Sequence, residues 1–161
     1  MRKKGRQEAI IKEVLASSEL FKGLTDEELE KVAALARAEI YEKGITLFTE
    51  GSVAEDLYII EIGKVAMEIS LSPTPGMGKQ ITVDTLSRGQ ICGWSAVGGT
   101  PAYILTARAL EPVRAIAIDG KRLYTLLKED PYLGYRVMAR MAEVVHSRLR
   151  HIRMNVRVFQ R

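Results

Sequence analysis

A chain of 161 residues, 47% hydrophobic and 27% charged, has the make-up of one globular domain with room for an appended element. No apolar run approaches the ~20 residues that span a bilayer, and the basic start MRKKGRQEAIIKEVL lacks an apolar core followed by a small-residue cleavage site. The single cysteine, Cys92, excludes an internal disulfide, so a cytoplasmic location and no membrane contact are expected.

The formal net charge of +4 is unevenly placed. Arg2, Lys3, Lys4 and Arg6 make the start basic, residues 131–161 carry seven arginines against Glu143, and the body between is acidic. Basic ends suit nucleic acid or an acidic partner, and solvated helix faces are the simpler reading.

Residues 7–38 read as helix. Glu8 to Leu15 has helical spacing, and Thr25 with Glu28 three residues on forms a capping box ahead of Leu29, Val32, Ala33 and Leu35. Residues 39–118 read as strands and turns. DLYIIEIGKVAMEIS is two β-rich runs meeting at Gly63, which predicts a hairpin, and SPTPGMGK (72–79) is a turn-rich loop. Further strands are expected at Ile81–Leu86, Tyr103–Ala107 and Val113–Ile118. Many short strands punctuated by glycine predict a mainly β fold, an eight-stranded antiparallel jelly roll with flanking helices.

A short helix over Lys121–Lys128 is expected to end before Pro131, and a long one to run from Pro131 toward the C-terminus. Met138, Met141, Val145, Leu149, Ile152, Val156 and Phe159 recur close to the 3.5-residue period of a coiled-coil seam. Thirty residues of helix reach ~45 Å, longer than a small barrel is wide, so the distal half is expected to meet a second copy. The organisation expected is a basic helical extension (1–17), a β-roll (18–130) and a dimerisation helix (131–161).

GWSAVGGTPAYILTA (93–107) is the candidate binding segment. Glycines at 93, 98 and 99 mark close backbone approach, and no charged residue lies within it. Gly93, Trp94, Ser95, Ala96, Gly98, Gly99, Thr100, Tyr103 and Leu105 are the candidate ligand-binding residues. Amides and hydroxyls there suit an anion, and Trp94 and Tyr103 offer flat surfaces with polar tips.

Leu20-Phe21-Lys22-Gly23-Leu24-Thr25, Tyr41-Glu42-Lys43-Gly44, Phe48-Thr49-Glu50-Gly51, Ala54 to Ile60, Gly63-Lys64-Val65, Leu86, Gly89 and Gly93 together resemble the cyclic nucleotide-binding domain family. This is the family of the catabolite activator protein and the protein kinase A regulatory subunit. The resemblance implies a ligand site built from a Gly-Glu pair at a short helix start and an Arg about nine positions after the Glu. Gly93 matches the glycine. Trp94 stands at the Glu, and Tyr103, or Ala102 in a shifted alignment, stands at the Arg. A missing arginine removes a charged hydrogen bond of roughly 1.5–3 kcal/mol. Arg108, at an odd offset from Tyr103, is expected to be an exposed strand residue.

Other signals are weaker. GMGK (76–79) lacks the flanking residues of a phosphate loop and reads as a hairpin tip. His146 and His151 are five apart on one helix, a poor spacing for a metal pair, and no metal is expected. Cys92 reads as a buried thiol, with a redox or haem ligand the alternative. Arg140, Arg148, Arg150, Arg153 and Arg157 are available to touch phosphates, but with no reading element after the long helix no sequence-specific DNA binding is expected. No catalytic constellation is visible.

The sequence therefore predicts a dimeric regulatory small-molecule sensor, with altered or weak cyclic nucleotide binding, that signals to an unidentified protein partner. Its ligand would be a cyclic nucleotide or another small planar molecule. The alternative is a ligand-free jelly-roll module for protein–protein interaction. An open, partly polar cavity would favour the sensor, and a cavity filled by Trp94 or Tyr103 would favour the module.

Overall fold

The computed structural model describes residues 1–74, 77–99 and 101–159, with side chains to Arg157 at the C-terminal end. In chain order its elements are α1 (Arg2–Ser17), α2 (Asp26–Ala33), β1 (Ala36–Tyr41), β2 (Thr46–Phe48), β3 (Asp56–Ile62), β4 (Val65–Ser70), β5 (Gln80–Leu86), β6 (Ile91–Cys92), one 3₁₀ turn (Trp94–Ala96), β7 (Thr106–Ala109), β8 (Val113–Asp119), α3 (Gly120–Glu129) and α4 (Pro131–Phe159). Eight strands form two antiparallel sheets of four, ordered β1-β8-β3-β6 and β2-β7-β4-β5.

Two cores follow from the strand period of two. On β3, Leu57 and Ile59 face the helices, while Tyr58 and Ile60 face the other sheet. On β8, Ile116 and Ile118 face the helices, and Val113, Ala115 and Ala117 face inward. Burial on both sides explains why DLYIIEI is apolar almost throughout. The first core joins Ile11 and Leu15 of α1, Val32 of α2, Leu123 of α3 and Leu133, Val137, Met141 and Val144 of α4 to the first sheet. The second lies between the sheets.

Helix starts are set by the expected chemistry. The Thr25 hydroxyl accepts from the Glu28 N–H at 3.2 Å, and the Glu28 carboxylate accepts from the Thr25 N–H at 2.9 Å. Asp119 caps α3 by accepting from Arg122 N–H at 2.9 Å, and Asp130 accepts from Leu133 N–H at 3.2 Å, with Pro131 in the first turn of α4.

Three expectations are corrected. Residues 36–38 are strand rather than helix, because pairing of β1 with β8 overrides the helix propensity of Ala36-Arg37-Ala38. The two runs about Gly63 are not a hairpin: β3 pairs with β6 and β8, and β4 with β5 and β7, so Gly63 carries the chain from one sheet to the other. Its φ is +94°, and a Cβ there would collide with the Pro112 carbonyl. The strand expected at Tyr103–Ala107 begins only at Thr106. The 72–79 loop links the antiparallel pair β4 and β5, and its Pro75 and Gly76 lie outside the described residues.

Candidate functional site

Gly93 follows β6 and opens the 3₁₀ turn in a left-handed conformation, φ +78°. A Cβ there would lie 2.8 Å from the Asp56 carbonyl oxygen and 3.2 and 3.3 Å from the Tyr103 and Phe48 rings. Both conformation and space demand glycine. Ala96 and Val97 N–H donate to the Gly93 and Trp94 carbonyls, so these two amides are engaged within the turn.

The candidate residues divide around this turn. Ser95 is buried, Trp94 and Ala96 are half-buried, and Trp94 packs on the first core. Gly98 and Gly99 are exposed on a turn, and Thr100 lies outside the described residues. Gly93, Trp94, Ser95, Tyr103 and Leu105 come together with Phe48 and Met67 around a cavity of about 20 Å³. That holds roughly one water molecule, against roughly 300–1,000 Å³ for pockets that take drug-sized ligands.

Tyr103 is the reason the cavity is small. It is 5% exposed, inside the second core. Its ring stacks on Phe48 with centroids 3.9 Å apart and an 18° interplanar angle. Its hydroxyl accepts from the Asp56 N–H at 3.0 Å and donates to the Asp56 carbonyl at 2.7 Å. Its own backbone is fixed as well: Tyr103 N–H donates to the Ser52 carbonyl at 3.0 Å, and Gly51 N–H donates to the Tyr103 carbonyl at 2.8 Å. Burial pushes the phenol pKa above its ordinary value, with the Asp56 backbone hydrogen bond pulling the other way. Phe48, Met67 and Asp56 were not among the candidates, since nothing local in sequence connects them to Tyr103.

Charged groups near the cavity are already paired. The Arg37 guanidinium holds the Asp56 carboxylate at 3.1 and 2.7 Å. Arg108 is only partly exposed: it contacts both Glu68 carboxylate oxygens at 3.3 Å and donates to the Gly44 carbonyl at 2.9 Å. Arg148 corrects the expectation of a phosphate-facing side chain. It is 3% exposed, paired with Glu19 and lying 3.7 Å from Asp84. Cys92 is a fully buried thiol whose pKa burial pushes up to about 12. Among the described residues no cluster of His, Cys, Asp and Glu is placed to hold a metal, and no helix is long and apolar enough to cross a membrane.

With this geometry established, comparison with known proteins decides the family. The model of the cyclic nucleotide-binding domain matches residues 38–130, more than half of the chain. The chain belongs to the cyclic nucleotide-binding domain family. A candidate cyclic nucleotide-binding protein of Geobacter metallireducens, known from its crystal structure, is 31% identical with a TM-score of 0.73, covering 85% of this chain and 96% of that one. The cyclic AMP receptor protein of Thermus thermophilus is 24% identical over 128 residues, 80% of this chain and 57% of the relative. A Rhodopseudomonas palustris protein assigned as a potassium channel is 28% identical over 77% of this chain and 29% of its own. The chain thus spans little more than half of one curated relative and under a third of the other. As a cyclic nucleotide-binding family domain it is regulatory in character, of the kind used in signal transduction.

Proposed function

We propose that this domain is a dimeric regulatory module in which Tyr103 takes the place that a ligand holds in nucleotide-binding relatives, so that its signal is carried by protein contacts. The observation behind this reading is the Tyr103 ring on Phe48, with its hydroxyl on both backbone groups of Asp56, in a cavity of about 20 Å³. The sequence reinforces it: by the resemblance, Trp94 stands at the ribose-binding Glu and Tyr103, or Ala102 in a shifted alignment, at the phosphate-binding Arg. A buried phosphate with neither is strongly disfavoured.

The output surface of this reading is α4. Val137, Met141, Val144 and Arg148 face its own domain, and Ile152, expected in the seam, packs against the second core, leaving Met138, Val145, Leu149 and Val156 exposed along the other side, with Leu149 64% exposed. Met141, 6% exposed, contributes to the core and not to this stripe. The stripe keeps the spacing of a helix–helix seam, and a second copy of α4 is its simplest cover.

A nucleotide sensor is the second reading, favoured by the left-handed Gly93 and its 3₁₀ turn. It requires Tyr103 to leave its site. Sedimentation with and without millimolar cyclic AMP separates the two. The plugged module predicts a dimer insensitive to nucleotide, and Val145→Glu with Leu149→Glu gives folded monomers. A nucleotide-dependent shift in assembly overturns the plugged reading, and an unchanged mass for the double variant overturns the seam.

A further inference from the structure

We propose that the free edge of β1 is a docking site for an extended, acidic and apolar peptide segment of a partner protein, which adds to the first sheet as a further strand.

The evidence begins with hydrogen-bonding capacity. β1 is the edge of its sheet and, among the described residues, pairs only with β8. Asp119 N–H donates to the Leu35 carbonyl. With the alternation of an antiparallel ladder, this turns the backbone groups of Arg37, Glu39 and Tyr41 toward β8 and those of Ala36, Ala38 and Ile40 outward. None of the outward groups has a hydrogen-bond partner among the described residues. By contrast the edge strand β5 is covered, since α4 lies against it and Asn155 donates to the Val83 carbonyl at 2.7 Å. A six-residue edge with no cover, bulge or proline is a template for another strand.

The side chains define what that strand carries. Ile40, Arg114 and Ile62 stand in one cross-strand row over β1, β8 and β3, on the face that α1 overlies. Ile40 is 79% exposed and Ile62 is exposed as well. The first two turns of α1 bury nothing and leave a groove of about 330 Å³ beside this row, where Ile10, Ala38 and Ile40 are apolar and Lys3, Arg6 and Arg114 are basic. No carboxylate lines the groove among the described residues, and the one partner of Arg114 is Glu61 at 2.8 Å. Apolar and acidic side chains that share one face of the added strand, two residues apart, lie against Ala38 and Ile40 and meet Lys3, Arg6 and Arg114, which line that same groove. A second copy is a poor occupant, because pairing β1 with β1 would set Lys3, Arg6 and Arg114 near their own kind. A membrane or nucleic acid satisfies the cations but leaves the ladder groups unused.

The test is fluorescence anisotropy of the full chain with a labelled seven-residue peptide, Val-Thr-Glu-Thr-Val-Thr-Glu, whose valines and glutamates share one face of a strand. A valine–lysine peptide and vesicles of phosphatidylserine are measured beside it. Saturable binding to the acidic peptide is expected and none to the basic one. Ala38→Pro, which removes an outward N–H, and Lys3→Glu with Arg6→Glu should each weaken binding by about tenfold or more. Peptides N-methylated at alternate positions, in both phases, give the same information without altering the protein, and one phase must lose binding. No saturable binding, equal binding of the basic peptide, indifference of both phases to N-methylation, or binding to vesicles alone would each overturn the proposal.

Discussion

The Tyr103 hydroxyl meets both backbone groups of Asp56, at the buried entry of β3. Tyr103→Phe keeps the ring on Phe48 but leaves that N–H and carbonyl without this partner. The expected loss in urea unfolding is about 1–3 kcal/mol, and an unchanged stability would mean that the hydroxyl does not hold the ring. Buried acids here also set the alkaline limit. Burial raises the pKa values of Tyr103, Tyr58 and Cys92, the thiol from 9.0 to about 12. Each group loses its proton first in the unfolded chain. The thiol's contribution is therefore complete below its ordinary value of 9.0 and is lost as pH rises toward about 12, and that of the two phenols begins to fall above their ordinary value of 10.0. Unfolding stability should fall above pH 9, by up to about 1.4 kcal/mol per pH unit per group, and Cys92→Ala should remove the earliest part of the fall. A flat profile to pH 11 would contradict the burial of these groups.

Among elements, α4 shows how periodicity informs and misleads. The heptad-like pattern is read from Met138, Met141, Val145, Leu149, Ile152, Val156 and Phe159, and the helix start from Pro131; the structure turns Met141 and Ile152 inward. Its phase was not fully legible, because apolar residues also sit one step round the helix. Val137, Met141 and Val144 form that inner face, and Arg148 continues it. Nothing in the sequence marks an arginine for burial; the marks are Glu19 and Asp84, far off in the chain, and the Ile91 carbonyl at 3.5 Å. Arg148→Ala leaves two carboxylates without their cation and should cost about 3–5 kcal/mol in denaturant unfolding. A loss within ordinary surface limits, about 0.5 kcal/mol, would show that the cluster is not a buried link between helix and sheets. The Gly63 hairpin failed for a related reason: two β runs about a glycine specify a reversal, but not whether the partner strand is the neighbour or one from the far end of the chain.

For the whole molecule, the family was legible because its motifs occur in order over most of the chain, and the two four-stranded sheets with flanking helices follow from it. The state of the cavity was not. It depends on Tyr103 meeting Asp56, 47 positions away, and stacking on Phe48, contacts that exist only once 51–52 and 103 are stitched together. The sequence supplied the two alternatives, an open polar pocket or a ring filling the space, and the stacking of Tyr103 on Phe48 supports the second. The most direct measurement is calorimetric titration of the full chain with cyclic AMP and cyclic GMP to millimolar concentration. The plugged site predicts no saturable heat from either nucleotide by a folded protein. Saturable binding of one nucleotide at one site per chain would contradict it, and would mean that Tyr103 yields its place to a ligand.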